Sequence, residues 1–435
     1  LAASIFTKMA NAIITETLTV IKRPLFALLL IACLPLAVAD PLPGASVESL
    51  LAAAREHSPD IRMTRSEAEA ARERIQPAGA LPDPVLRIEL ENITRNGSQG
   101  ATLNPSQVGD TKYTLMQPLP FWGKRDLKRE VATAEAEQAS GRAADAWSEV
   151  AARIKGLYAQ YWLTGQSLQL TRENIELTRR LEQVAQARYA GGLAAQQDAI
   201  RAQLERSAMD AELVGMESEF HHLMVFLNAM LARPSGAVLA EPTALRTIPA
   251  RLDGTALNDR LLAANPQLAI EAARVSGAEK SRELAYRNRY PDFTVGVVPM
   301  QVQNRVDAWS LMLEMNLPLQ QGTRRSQERE SERMLEAAAA RKEALGHRLQ
   351  GDLNAALSNL ESARTTEQIT RTRQLPQAEL TFKSALASYE NGKVDFATLL
   401  DAQRQIRNAR LALLRAQASQ QMRLADIERL LGEDL

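Results

Sequence analysis

The sequence predicts a mixed α and β membrane protein that is built from two copies of one structural unit. Three observations predict this fold class: a set of motifs that occurs twice, short segments in which apolar and polar residues alternate, and two very long helical segments. Repeated motifs at a fixed separation indicate one repeated architecture, not two unrelated domains. The motifs separated by 200 residues are Tyr189 and Tyr389, Gly192 and Gly392, Ala202 and Ala402, and Gln203 and Gln403.

Further upstream the same order of motifs recurs with a drifting separation, because loops of unequal length lie between the blocks. We therefore divide the chain into a leader at residues 1–39, a first repeat at 40–250 and a second repeat at 251–435. Each repeat is expected to contain a helix, two strands and a long helical hairpin. The upstream pairs are Ser58-Pro59 and Asn265-Pro266, Leu81-Pro82-Asp83 and Tyr290-Pro291-Asp292, and Leu119-Pro120 and Leu317-Pro318.

The composition favours an elongated protein and gives no support to nucleic-acid binding. Only 4% of the 435 residues are aromatic, so few large side chains are present to fill a thick globular core. The 52 basic residues balance the 52 acidic residues, which leaves no net positive charge to attract phosphates.

The N-terminal segment has the pattern of an export signal. Lys22-Arg23 precede an apolar run from Leu25 to Leu34, and Ala37-Val38-Ala39 forms a small-residue cleavage site. The alternative is cleavage before Cys33, because the residues ahead of it resemble a bacterial lipobox, followed by lipidation of that cysteine. Cys33 is the only cysteine of the sequence, so no disulfide forms within the chain in either case.

Each repeat contains a pair of predicted strands. Leu86, Ile88 and Leu90 alternate with charged residues, and the segment from Trp309 to Leu317 alternates over nine residues. This second length is close to what a tilted strand needs to cross a membrane. The weaker partner strands are Tyr113 to Gln117 and Phe293 to Val298, and the polar loops are Thr94 to Asp110 and Gln303 to Asp307.

A long helical segment follows each strand pair. These segments run from Arg125 to about Ala187 and from Arg324 to about Ala387, which corresponds to rods of roughly 90 Å if they are unbroken. Gly191-Gly192 and Asn391-Gly392 are expected to end the rods in left-handed turns. The returning helices are predicted at Gln196 to Ala232 and at Phe396 to Leu431.

Four membrane strands cannot close a barrel alone, since the smallest types need about eight, and open sheet edges are not tolerated in lipid. We therefore expect several copies of the chain to assemble around one axis, with each subunit giving four strands to one shared barrel. The helices would then form a hollow α-helical barrel that continues from it. Apolar residues facing lipid and charged residues facing inward would leave a water-filled lumen.

These features are similar to those of the outer-membrane efflux proteins of the TolC family, over nearly the whole chain from Val47 to Leu431. The most specific elements are the duplicated turns, Tyr189-Ala-Gly-Gly192-Leu193 and Tyr389-Glu-Asn-Gly392. The segment Gln117 to Arg125 resembles the heavy-metal branch, which contains the CzcC-like and CusC-like partners of cation pumps. The resemblance implies a homotrimer in which each subunit gives four strands to one 12-stranded barrel. It also implies that this trimer is a passive export duct in the outer membrane of a Gram-negative bacterium, with most of its mass in the periplasm.

The resemblance also implies partners and site residues at the periplasmic tip. The turn residues Gly192, Leu193 and Gly392 would dock a periplasmic adaptor, which links the duct to an inner-membrane pump of the resistance-nodulation-division type. Asp198 and Tyr389 match gate positions of the family.

Asp401 matches a carboxylate that threefold symmetry would repeat into a ring around the pore, and Asp395 lies near the same turn. The alternative is that these carboxylates are solvated charges at helix starts, where the helix dipole favours anions. The arginine that closes the gate in the family is replaced by Val394 here. Its substitute is left open among Lys393, Arg201 and Arg404.

The sequence gives no pattern for catalysis, a cofactor or a metal site. His221 and His222 are adjacent and would face different directions on a helix, so one metal ion cannot easily use both. Two alternatives to metal efflux remain: a duct of the same family for drugs, other small organic molecules or secreted proteins, and a periplasmic coiled-coil scaffold that forms no channel.

Overall fold

The computed structural model describes residues 42–93, 101–105, 108–302 and 305–435. The predicted leader and the lipidation site at Cys33 lie outside the described residues. The described elements belong to one compact unit, Leu42–Leu435. In chain order they are α1 (Val47–His57), α2 (Pro59–Glu73), α3 (Ile75–Gly79), β1 (Val85–Glu91), β2 (Asp110–Leu119), α4 (Lys124–Ala190), α5 (Gln196–Met230), α6 (Gly254–Ala264), α7 (Pro266–Arg287), β3 (Phe293–Val302), β4 (Arg305–Met315), α8 (Gln321–Ile369), a π-helical turn (Thr370–Gln374), α9 (Leu375–Glu390) and α10 (Phe396–Leu431).

Proline at the first helical position marks the start of the corresponding helix in each repeat. Helix α2 begins at Pro59 after Ser58, and α7 begins at Pro266 after Asn265, as the sequence predicts. Asn265 also caps its helix, because its side-chain oxygen accepts the backbone N–H of Leu268 at 3.0 Å. Proline fits here because the first backbone N–H groups of a helix have no partner within it.

The four strands form one antiparallel sheet in the order β1-β2-β3-β4. Leu86 pairs with Leu115, Leu115 with Val297, and Val297 with Leu311. Directly opposed residues lie on the same face of a sheet, so these four residues form one row across it, here called the apolar row. All four side chains are exposed, Leu311 to 88%. This agrees with the apolar strand face expected from the alternation.

Several strand boundaries differ from the sequence prediction. Strands β2 and β3 are longer than the predicted Tyr113 to Gln117 and Phe293 to Val298. Strand β4 begins at Arg305, so it takes up part of the loop expected at Gln303 to Asp307. It ends at Met315 and not at Leu317, because Pro318 follows; one further bond between the strands, from the Asn316 N–H to the carbonyl of Asp292, lies just beyond the end. Proline lacks the N–H group that would continue the ladder.

The first long helix is continuous, whereas the second is interrupted. Helix α4 has 67 residues, which corresponds to about 100 Å. The second rod changes to π geometry at Thr370–Gln374, where the N–H of Leu375 bonds the carbonyl of Thr370. Pro376 follows directly; it has no N–H to donate and its ring collides with the preceding turn of a regular helix. The first rod is therefore unbroken, and the second is not.

Helix α4 is the central element of the packing, since it contacts α2, α5, α7 and α10. One core surrounds Tyr158 and Tyr161 between α1, α4 and α5, and another lies between α6, α8 and α10. A third core lies at the tip of the helical hairpins.

A buried ion cluster fastens the end of α10 to α4. The Nζ of Lys155, only 4% exposed, lies 2.7 Å from Glu428, and it also bonds Asp434. Arg246, from the segment that joins the repeats, donates two hydrogen bonds to Glu428 at 3.0 and 2.8 Å. Because each buried charge has an opposite partner, the cost of removing it from water is offset.

Across the described residues, the helices are not apolar enough over a sufficient length for any of them to span a membrane.

Candidate functional site

Two turns of the same geometry close the helical hairpins at one end of the protein. Gly192 has φ +72° and Gly392 has φ +71°, so both adopt the left-handed conformation that the sequence predicts for them. The Leu193 N–H bonds the carbonyl of Arg188 at 2.8 Å, and the Lys393 N–H bonds that of Ser388 at 2.8 Å. Such turns end a helix at a glycine, because residues other than glycine are strained in the left-handed conformation. Leu193 is 71% exposed beside its turn.

Arg188 connects the two turns. Its Nη1 donates to the carbonyl of Glu390 at 2.9 Å, and its guanidinium lies 4.9 Å from the centre of the Tyr389 ring. A cation above an aromatic face is attracted by the negative face of the ring. The two hairpins of one chain are therefore joined at their tips, and the repeat alone does not predict this, because Ser388 occupies the position of Arg188 in the second copy.

Tyr389 is buried in the core of the tip. It is 3% exposed and packs with Phe396 at 5.3 Å between ring centres, among Leu399 and Leu400. Its hydroxyl group has no hydrogen-bond partner within the described residues. Burial raises the pKa of this hydroxyl, and the nearby negative charge of Asp198 raises it further. The structure thus brings the predicted gate residues Tyr389 and Asp198 into one electrostatic environment.

Asp198 and Asp395 lie at the starts of the two returning helices. Asp198 is half-buried in the first turn of α5. Asp395 is the N-cap of α10, where it accepts the Thr398 hydroxyl at 2.5 Å and the Thr398 N–H at 2.9 Å. The hydroxyl bond, the backbone bond and the positive charge of Arg201 keep the pKa of Asp395 below its ordinary value. Asp395 therefore caps a helix and stays ionised at neutral pH.

Asp401 lies further along α10 and is exposed. The arginine that pairs with it, Arg404, also pairs with a buried carboxylate. Arg404 lies 3.6 Å from Asp401, but its closer partner is Glu205 on α5, at 2.5 Å. The Glu205 side chain is only 9% exposed. The hydrogen bonds that Arg404 donates to Glu205 raise the pKa of the Arg404 guanidinium. Of the three basic residues considered from the sequence, Lys393, Arg201 and Arg404, it is Arg404 that forms an ion pair with Asp401 among the described residues.

Glu205 is the site residue that sequence reasoning missed. The repeat aligns it with Gln405, so comparison of the copies shows no conserved charge there. A usable signal was the spacing of acidic residues along α5, since Glu205 and Glu212 are seven residues apart and share one face of the helix. The basic residues Arg404 and Arg407 on α10 face them, with Arg407 at 3.3 Å from Glu212.

A buried hydrogen bond also joins the two hairpins below the tip. The side-chain amide of Gln403 donates to the hydroxyl of Thr178 at 2.7 Å, and both residues are buried. Gln403 belongs to a repeated motif, but Gln203 in the first copy makes no such bond within the described chain. In the part of the chain that the structure describes, no three His, Cys, Asp or Glu residues are grouped to hold a metal ion.

Comparison with known proteins gives one family and several structures of the same fold. The family model for outer membrane efflux proteins matches residues 50–232 and 257–433. The chain is 23% identical over 409 residues to the cobalt-zinc-cadmium resistance protein CzcC of Cupriavidus metallidurans, and the match covers 92% of each chain.

The outer membrane protein VceC of Vibrio cholerae has a TM-score of 0.76 at 18% identity, over 89% of this chain and 96% of that chain. A solved structure of CusC, which is described as forming a transmembrane channel, has a TM-score of 0.77 at 17% identity, over 90% of this chain and 93% of that chain.

Proposed function

Because this chain belongs to the outer membrane efflux protein family, we propose that it is the outer-membrane duct of a metal-cation export system. The efflux role belongs to the family as a whole, and the metal cargo is the part that we propose. The duct performs no catalysis: it gives ions a water-filled path, and their movement is driven by a separate pump.

The observation that carries the proposal is the exposed apolar row on a sheet whose two outer edges, on β1 and β4, have no partner strand in the described chain. An exposed apolar surface of this kind is costly in water and is stable against hydrocarbon. The opposite face carries charged residues, including the pair Lys112 and Glu91 at 2.5 Å. One face therefore suits lipid and the other suits water.

We propose that three copies close a 12-stranded barrel, because unpaired strand edges are not tolerated in a membrane. The four-stranded sheet of each subunit would supply one third of the wall. The long helices of the repeats at 40–250 and 251–435 would continue the wall as an α-helical barrel in the periplasm. A homotrimer then contains six similar helical hairpins around one axis.

The metal cargo is supported by two observations. The relative CzcC, which covers 92% of the chain, is named for resistance to cobalt, zinc and cadmium. The tip of the hairpins carries Asp198 and Asp395 at helix starts and Asp401 in the second turn of α10, and threefold repetition of these carboxylates would concentrate cations at the mouth. Like charges around one axis also repel one another, which would favour opening.

We further propose that the two turns dock a periplasmic adaptor, with Leu193 as the apolar contact. Its side chain is exposed and lies beside the rigid turn of Gly192. An exposed leucine on a rigid turn is suited to insertion into a groove of a partner. The adaptor would connect the duct to an inner-membrane pump of the resistance-nodulation-division type.

The test of the cargo is a deletion strain grown on graded zinc, cobalt and cadmium. We expect the deletion to reduce tolerance. The wild-type gene should restore it, whereas a variant in which both Gly192 and Gly392 are replaced by bulky residues should not. Unchanged tolerance to metals, together with reduced tolerance to organic compounds, would contradict the metal cargo and support the drug duct.

The test of the channel is reconstitution of detergent-solubilised protein into planar bilayers. We expect stepwise conductance with a preference for cations. Release of the protein from membranes by a salt wash, with no conductance, would contradict the channel and support the periplasmic scaffold.

A further inference from the structure

We propose that β4 of one subunit pairs with β1 of its neighbour in a register that places Glu314 opposite Arg87 of the partner subunit. This inference rests on the proposed channel, in which the free edges of the sheet meet a second copy of the chain. It goes beyond that proposal by naming the contact. The alternating directions of β1 to β4 make this pair antiparallel.

The two hairpins of the sheet have the same internal register, and this fixes how the repeats align. Asp83 and Asp292 occupy equivalent positions, as do Leu119 and Leu317. Under this alignment the pair Val85 and Met116 corresponds to the pair Thr294 and Glu314. Both pairs are observed, in β1-β2 and in β3-β4 respectively.

The junction between the repeats within one subunit is the template for the junction between subunits. In β2-β3, Leu115 pairs with Val297, Met116 with Gly296, and Gln117 with Val295. The same alignment carries these three pairs onto β4 and the neighbouring β1. They become Leu313 with Ile88 of the partner subunit, Glu314 with Arg87 of the partner subunit, and Met315 with Leu86 of the partner subunit.

The chemistry of the paired residues agrees with this register and disfavours its neighbours. The apolar residues of both strands meet on one face, and the charges that meet on the other are opposite. A slip by one residue in either direction would place Leu311 and Leu313 opposite charged residues of the neighbouring β1. A slip by two residues in one direction would set Glu314 against Glu89, and like charges directly opposite each other are destabilising.

Both charges are available for such a pair. Glu314 is exposed and has no ion pair within the described residues. The side chain of Arg87 is 56% exposed, and its only acidic neighbour in the described part of the chain is Glu89, at the long distance of 3.9 Å.

A second pair of equivalent contacts supports the same alignment beside the sheet. The side chain of Arg125 donates to the carbonyl of Gly79 at 3.0 Å, and that of Arg324 donates to the carbonyl of Asn288. Gly79 and Asn288 both lie four residues before the repeated aspartate. The ends of the strand pairs are therefore built alike in the two repeats.

This likeness assigns a partner to Asp83. Asp292 accepts the backbone N–H of Phe121, from the other repeat, at 2.7 Å. Counted back from the equivalent arginines Arg125 and Arg324, Gln320 takes the place of Phe121. The equivalent bond between subunits therefore joins the backbone N–H of Gln320 to Asp83 of the partner subunit. Among the described residues, neither the Asp83 carboxylate nor the Gln320 N–H has a partner.

The experiment is disulfide formation between introduced cysteines in a Cys33→Ser background, which has no other cysteine. The test pair is Glu314→Cys with Arg87→Cys, and the matched pair shifted by two residues is Glu314→Cys with Glu89→Cys. Directly opposed residues have the spacing that a disulfide requires, whereas diagonal residues are too far apart. After mild oxidation in membranes, we expect the test pair to give at least about fivefold more disulfide-linked product than the shifted pair. The linked product should contain up to three chains.

Charge exchange gives a second measurement if a cysteine pair does not fold. Glu314→Arg alone should lower the temperature at which the detergent-solubilised assembly dissociates, and adding Arg87→Glu should restore it. No restoration would contradict the pairing.

The outcomes separate this inference from the proposed channel. More linkage from the shifted pair, or none from either pair in a protein whose mass by light scattering is that of three chains, would overturn the register and leave the channel intact. A wild-type protein with the mass of a single chain would overturn both.

Discussion

Arg404 on α10 lies 2.5 Å from Glu205 on α5 and 3.6 Å from Asp401, so a single guanidinium connects a buried carboxylate with an exposed one. The two helices belong to different repeats. A cation therefore lies at the tip although Val394 stands where the resemblance implies the gate arginine. An ion pair within one subunit already restrains the charge that we place near the pore.

Glu205→Gln should destabilise the tip because Arg404 would lose its charged partner. A charge-assisted hydrogen bond contributes about 1.5–3 kcal/mol, and since Arg404 is half-exposed we expect about 1–2 kcal/mol here. The measurement is unfolding by denaturant in detergent. The matched control is Glu219→Gln, on an exposed position of the same helix, which should change nothing. Equal midpoints for both variants would show that the pair does not stabilise the fold.

Asp401→Ala should reduce the cation selectivity of the reconstituted channel. The exposed carboxylate would be repeated three times around the axis, and its removal lowers the local concentration of cations. The measurement is the reversal potential in a salt gradient, together with block by trivalent ions. Asp210→Ala removes an exposed carboxylate of α5 that has no ion pair in the described chain, and it is the control. A reversal potential that stays at the wild-type value would remove Asp401 from the pore.

Much of the fold follows from short-range rules that the sequence displays directly. The turns at Gly192 and Gly392 are predictable because the left-handed conformation there requires glycine, and the strand faces are predictable because side chains alternate. The interruption of the second rod is also predictable from the sequence, since Pro376 cannot donate a helical hydrogen bond. The predicted rod length applied only to unbroken helices, and the second rod does not meet that condition.

The candidate site was less predictable because its contacts join residues that are distant in the chain. Arg188 bonds the carbonyl of Glu390, and Arg404 bonds Glu205, across about 200 residues of sequence. The alignment of the two repeats hides such contacts, since they connect one copy to the other at positions where the copies differ. Asp401 was expected at the tip, but its competition with Glu205 for one cation appears only in three dimensions.

Tyr389→Phe should leave the stability of the subunit unchanged within about 0.5 kcal/mol, because the lost hydroxyl has no partner in the described chain. Tyr389→Ala should cost about 3–5 kcal/mol, since it removes a buried ring from the core of the tip. The measurement is thermal unfolding of both variants in detergent. A Phe variant that is as unstable as the Ala variant would mean that the hydroxyl bonds a group of another subunit in the assembly.

Asp292→Asn should destabilise the protein at neutral pH and lose this effect in acid. Burial raises the pKa of Asp292, but the bonds from Lys124 at 2.8 Å and from the Phe121 N–H outweigh it, so the pKa is lowered overall. A carboxyl group with a lowered folded pKa adds stability above its unfolded pKa of about 3.9, and this stability disappears as the pH falls through the folded value. Melting temperatures of wild type and variant should therefore differ at pH 7, begin to approach each other below about pH 4, and meet only below the folded pKa of Asp292. The control Asp259→Asn, on an exposed position of α6, should follow the wild type throughout. A constant difference between wild type and Asp292→Asn at every pH would show that the side chain acts by shape and hydrogen bonding, not by its charge.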